Sequence, residues 1–202
     1  MNPLDSVRGT IIAGIVLAVV IAFFTGGVGV NLNEFSLIIW IHVLSGITWI
    51  GLLYYFNFVQ VPALAEAASD EGGPGGAGIT KYVAPRALWW FRWGAVLTWV
   101  SGAAYLLRLG IIGDAFMLGL NAGAPPNAYL IGIGAWLGTI MLFNVWVLIW
   151  PNQKKILGLV EASAEEIGKA RRVAFLASRS NTLLSIPMLM SMVGYGHAGF
   201  IL

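Results

Sequence analysis

The chain has 202 residues, 58% of them hydrophobic and only 10% charged, against about 25% charged in soluble domains. A soluble core of this length cannot enclose so much apolar surface, so the composition points to an all-α integral membrane protein. A net charge of +2 without a basic cluster excludes nucleic-acid recognition. The absence of cysteine excludes disulfides, iron–sulfur clusters, thiolate chemistry and covalent C-x-x-C-H haem attachment.

Read in order, the chain predicts a bundle of about five transmembrane helices in a single membrane domain, residues 1–202. The first span covers roughly residues 10–26. It resembles a signal peptide, but no A-x-A-like cleavage site follows Phe23-Phe24-Thr25-Gly26, so it reads as a retained span. After a turn at Gly26–Asn33, the second span covers residues 35–60, and Pro62 is expected to stop it. The glycine-rich stretch Glu71–Gly78 reads as a mobile loop. The third span, residues 86–109, carries Gly94, Thr98 and Gly102 four apart, a small-residue stripe that admits a close neighbouring helix. The hydroxyl of Thr98 is expected to bond across to that neighbour. After a second loop comes the fourth span, residues 128–150, with Gly134 and Gly138 on one side and Pro151 as its end. Ser163 and Glu166 have capping-box spacing, which predicts a short amphipathic helix at about 163–173. The fifth span covers residues 174–200, with Pro187 as a kink.

Basic residues set the orientation. Arg8, Lys81, Arg86, Lys154, Lys155, Lys169, Arg171 and Arg172 fall on one side of this topology, and little beyond Arg108 falls on the other. The amino terminus is therefore expected in the cytoplasm and the carboxy terminus outside.

That orientation sorts the polar residues into two groups. His42 and His197, the two histidines of the chain, fall in the outer leaflet. Gly46 follows His42 by one turn, and Gly194 and Gly196 flank His197. Two imidazoles from two spans, with glycine beside them to admit a flat macrocycle, suit a bis-histidine haem b site lined by Trp40, Trp49 and Tyr195. The alternative is that each histidine bonds to a neighbouring helix. The inner half holds Asn57, Arg92, Asn144, Arg179 and Asn181 from four spans. Intramembrane polar groups usually face a bundle interior or a cavity. They form one network, an anion cavity or a propionate cradle, or else plain helix-to-helix hydrogen bonds, with Arg179 snorkelling to the interface. Arg92 is expected to point at Asn57 or Asn144. No Asp or Glu lies within a span, and no Ser-His-Asp, P-loop or zinc-protease signature is present. Redox chemistry here needs a bound cofactor.

Several runs resemble the urate oxidase N-terminal family, the membrane part of bacterial urate hydroxylases. They are Trp40-Ile-His42 through Gly46, Trp49-Ile-Gly51, and Tyr55-Phe-Asn57-Phe-Val59 to Pro62. Further along come Asn144-Val-Trp146, Ile149-Trp150-Pro151-Asn152-Gln153-Lys154, Ser178-Arg179, Asn181 and Pro187. The resemblance implies a multi-pass protein of the bacterial inner membrane, with a cytoplasmic amino terminus and a periplasmic carboxy terminus. It implies a haem b-binding oxidoreductase module; the site read from the residues would place His42 and His197 on the iron with Gly46, Trp49 and Gly194 around them. Members carry histidine where this chain has Ser180, and Asn-His where it has Gly196-His197. With no cysteine to attach a c-type haem, electrons are expected to pass to a separate cytochrome c. The other reading is a non-catalytic accessory subunit of a larger membrane complex that keeps the fold.

Overall fold

A computed structural model describes residues 2–25 and 33–197. Among these residues it is all helix, without a strand, and they divide into two compact units within residues 1–37 and 38–202. Most of the turn expected at Gly26–Asn33, and the end of the fifth span, lie outside the described residues.

The first unit holds a 3₁₀ turn, Pro3–Asp5, and α1, Val7–Thr25. The Ser6 hydroxyl accepts from the Gly9 N–H at 3.0 Å and so serves the open first turn of α1. Past Arg8 the helix has no charge and no polar stripe, so it is apolar all round, as a membrane span is. Among the described residues, none of Val7–Phe24 is buried.

The second unit is organised by prolines and π-helical turns. Helix α2, Glu34–Tyr54, passes through a π segment, Tyr55–Gln60, into α3, Val61–Ser69. A second π segment, Ile79–Val83, leads into α4, Ala84–Arg108. After the short α5, Ile112–Phe116, helix α6, Ala128–Phe143, continues through a third π segment, Asn144–Ile149, into α7, Trp150–Ile156. Each π segment comes just before a proline: Pro62, Pro85 and Pro151. Proline lacks an N–H, and its ring presses on the carbonyl four residues back. The wider i→i+5 turn moves that carbonyl away, as when Val61 N–H bonds Phe56 O. Pro62 and Pro151 therefore do not end their spans. The helix runs on from Glu34 to Ser69 and from Ala128 to Ile156.

Helix α8, Ala164–Gly196, is the longest, with 33 residues. The capping box forms as expected, the Ser163 hydroxyl accepting from Glu166 N–H and the Glu166 carboxylate from Ser163 N–H. That contact, with Lys155 at 3.4 Å, holds the Glu166 carboxyl below the ordinary carboxylate range. The short helix expected at 163–173 does not end. Within α8 no proline comes before Pro187, and the residues between are mostly good helix formers, so the two elements fuse into one rod about 50 Å long.

Among the described residues, three helical runs are long and apolar enough to cross a membrane: Val7–Phe24, Glu34–Ser69 and Ala128–Ile156. Helices α4 and α8 have the length. Arg86, Arg92, Arg108 and four tryptophans in α4, and the charged first turns of α8, make them more polar.

The core forms around α8, whose buried stripe is built of small residues: Ala170, Ala174, Ala177, Asn181, Ser185, Met188, Ser191 and Gly194. Small side chains let α6, α7 and the first π segment close on it. Trp49, Leu53, Phe56, Phe91, Met141 and Val145 fill the centre. A smaller cluster, Leu106, Ala115 and Ile131, seats α5 against α6. Gly132 makes that seat, since a Cβ there would strike the Ala115 carbonyl.

Candidate functional site

The small-residue stripe on α4 receives α2. A Cβ on Gly94 would lie 3.4 Å from Trp49 N and 3.5 Å from Ser45 O, so the backbones nearly touch. One turn on, the side chain that crosses the seam is His42. Its Nδ1 lies 2.8 Å from the Thr98 carbonyl and 3.4 Å from Ser101 Oγ. A carbonyl only accepts, so Nδ1 carries the proton, and in the neutral imidazole Nε2 keeps its lone pair. The Thr98 hydroxyl does not reach across as expected. It donates to Gly94 O within its own helix at 2.7 Å, and the carbonyl makes the interhelical bond.

As a test of haem binding, this arrangement meets one requirement. Iron-ligating imidazoles usually donate their other N–H to a carbonyl or carboxylate, which fixes the ring, and His42 does so. The glycines do different work from that expected. A Cβ on Gly46 would lie 3.7 Å from Thr98 Cγ2, and one on Gly102 would lie only 2.9 Å from Cε1 of the His42 ring, which takes that space. These positions admit helix α4 and the imidazole itself, so a macrocycle at His42 belongs on the Nε2 side. Trp49 is buried nearby, its Nε1 without a hydrogen-bond partner. His197 caps the end of α8 and is exposed, its N–H on Gly194 O at 3.4 Å. Gly194 is buried in the stripe of α8.

The inner polar residues divide between two settings. The asparagines meet on α8. Asn57 donates Nδ2 to Leu53 O and to Ser178 Oγ, both at 2.8 Å. Asn144 donates to Asn181 Oδ1 at 2.8 Å, and Asn181 donates to Met141 O at 3.0 Å. Farther along the same stripe the Tyr54 hydroxyl meets Ser185 Oγ at 2.9 Å. Ser191 Oγ accepts from Gly134 N–H and donates to the Leu130 carbonyl. Asn57 and Asn144 both sit in π segments, whose extra residue per turn swings the amide toward α8.

The arginines are placed elsewhere. The Arg92 guanidinium stacks on the Trp150 ring, 3.7 Å from its centroid, rather than bonding Asn57 or Asn144. Arg179 lies over Phe175 of its own helix at 5.3 Å.

A cavity of about 450 Å³ opens beyond the Asn57–Ser178 bond. Gln60, Thr80, Gln153 and Arg171 line it as well; the sequence marks Gln153 only as part of a family-like run and Arg171 only as an orienting charge, and Gln60 and Thr80 not at all. Gln60 is three residues after Asn57, and a reading of helical faces that allowed for the π turn before Pro62 would have placed both on one wall.

Residues 115–201 match the family described as urate oxidase N-terminal, the family that the sequence runs resemble. The match takes in the end of α5 and α6 to α8, with Asn144, Asn181 and the polar stripe. No curated protein and no solved structure matches the chain.

Proposed function

We propose, with the match of residues 115–201 to the urate oxidase N-terminal family as the premise, that the chain is a membrane-embedded oxidoreductase module related to the urate hydroxylases. In this reading it crosses the bacterial inner membrane five times, amino terminus inside, and passes electrons to a separate cytochrome c. His42, with His197 as second ligand, would hold haem b, which supplies the one-electron exchange that no side chain here performs alone. The observation that carries the reading is the His42–Thr98 bond. It fixes the imidazole in the tautomer that leaves Nε2 as a ligand. Packing of α2 on α4 then keeps the ring from turning.

The test is the absorption spectrum of the purified protein with and without dithionite. Two histidine ligands give a low-spin spectrum with sharp reduced bands. His42→Ala or His197→Ala should abolish it or turn it high-spin, and Trp40→Phe should only shift it. A protein that takes up no haem when expressed with a haem supply overturns the redox reading.

A second reading, a non-catalytic accessory subunit, is favoured by the hydrogen bonds of the inner asparagines. Asn57, Asn144 and Asn181 all bond across helices or to nearby backbone, as residues do that hold a bundle together.

A further inference from the structure

All three π segments line the cavity of about 450 Å³: Asn57 and Gln60 come from the first, Thr80 from the second and Ile149 from the third. Its size suits a small ligand. We propose that it binds a small organic acid with a flat apolar body, an N–H or O–H donor at its inner end and its acid group at Arg171. This does not depend on haem.

Three features of the wall select that chemistry. The inner end offers acceptors. Gln60, 8% exposed, has its Oε1 buried without a hydrogen-bond partner. Asn57 uses Nδ2 for both of its bonds, which leaves Oδ1 over. Acceptors in apolar surroundings call for a donor. The outer end is positive. Arg171 is the one charged side chain among the described lining residues, and it is exposed; the lining holds no carboxylate. An anion is attracted there, and a cation has no ligand set. Between the two ends the wall is apolar and aromatic. Phe56 and Phe91 stand edge-to-face with centroids 5.5 Å apart, an arrangement that packs well against a third ring. A lipid chain would put apolar carbon against Gln60 and leave that oxygen without a partner.

The probe is para-hydroxybenzoate, titrated into the full-length protein in detergent. Benzoate lacks the donor and phenol lacks the charge. The hydroxy acid should bind about tenfold more tightly than either, since each control leaves a polar group of the site unpaired. Arg171→Gln should weaken both acids about fivefold or more and leave phenol unchanged. Gln60→Met, which keeps the volume, should erase the advantage of the hydroxyl. Gln60→Glu, a second variant at that position, should weaken both acids by repulsion. Equal binding of all three compounds, no binding of the hydroxy acid, or acids indifferent to Arg171→Gln overturns the proposal. Since the readout is binding, a missing haem spectrum leaves this result standing, and the reverse also holds.

Discussion

Nδ1 of His42 and the carbonyl of Thr98 stand 2.8 Å apart across the seam of α2 and α4, with the imidazole lying where a side chain at position 102 would be. Two of the glycines along this seam, Gly46 and Gly102, should therefore respond oppositely to the same change. Gly102→Ala puts a methyl 2.9 Å from Cε1 of the ring, and overpacking of this kind costs about 1–3 kcal/mol. Gly46→Ala meets only Thr98 Cγ2 at 3.7 Å, and removing a helical glycine gains about 0.5–1 kcal/mol. Thermal unfolding in detergent should rank Gly46→Ala at or above the parent and Gly102→Ala below it. Adding His42→Ala to Gly102→Ala should recover part of the loss. Equal melting temperatures for the two glycine variants would remove the seam from the account.

Asn181 is fully buried, accepting from Asn144 and donating to Met141 O. Asn181→Ala strips both bonds and leaves the Asn144 amide without a partner. The expected loss is about 1–3 kcal/mol, toward the lower end because membrane hydrogen bonds average about 0.6 kcal/mol. Asn144→Ala should cost a similar amount, and the double variant less than the sum, because the two share one bond. Additive losses would mean that the pair is not coupled.

What could be read in the sequence follows from how local each signal is. Gly94, Thr98 and Gly102 were legible as a packing stripe because four-residue spacing alone puts them on one face. The Ser163–Glu166 cap was legible because both partners lie within one turn. The ends of spans two and four were not. Pro62 and Pro151 read as stops, whereas the π turns before them carry the helix through. An i→i+5 turn is held open by what packs against it, here α8, which lies more than 100 residues beyond Pro62 in the sequence. The same distance hides Ser178 as the partner of Asn57. Depth in the membrane groups the inner polar residues, and only packing tells which of them touch.

Arg92 makes that distinction measurable. Expected among asparagines, it stacks 3.7 Å from the Trp150 ring centroid. A cation over tryptophan contributes about 0.5–2 kcal/mol, more as water is excluded. Trp150→Leu and Arg92→Leu should each lower the melting temperature, and a double-mutant cycle should return a coupling of about 1 kcal/mol. Asn57→Ala combined with Arg92→Leu should be additive. A large Arg92–Asn57 coupling with none to Trp150 would restore the expected network.

The last prediction concerns orientation, on which the depth of His42 and the side reached by the cavity both depend. Basic residues near the ends of short loops stay in the cytoplasm. With five spans, Arg8, Lys81, Arg86, Lys154, Lys155, Lys169, Arg171 and Arg172 share one side, and Arg108 lies on the other. Helices α4 and α8 are more polar than the three runs that meet span length and hydropathy, so their crossing is what the experiment reads. A reporter inserted between Gly72 and Gly78 lies after the second span, and one fused after Leu202 lies after the fifth. If α4 and α8 both cross, three spans separate the reporters, so they must lie on opposite sides: the first active in the cytoplasm, the second outside it. If only one of the two crosses, the reporters fall on the same side, and His42 and His197 no longer share a leaflet. Arg171 is tested by the same experiment. With the loop reporter inside, the mouth of the cavity opens to the cytoplasm, and an organic acid bound there comes from that side.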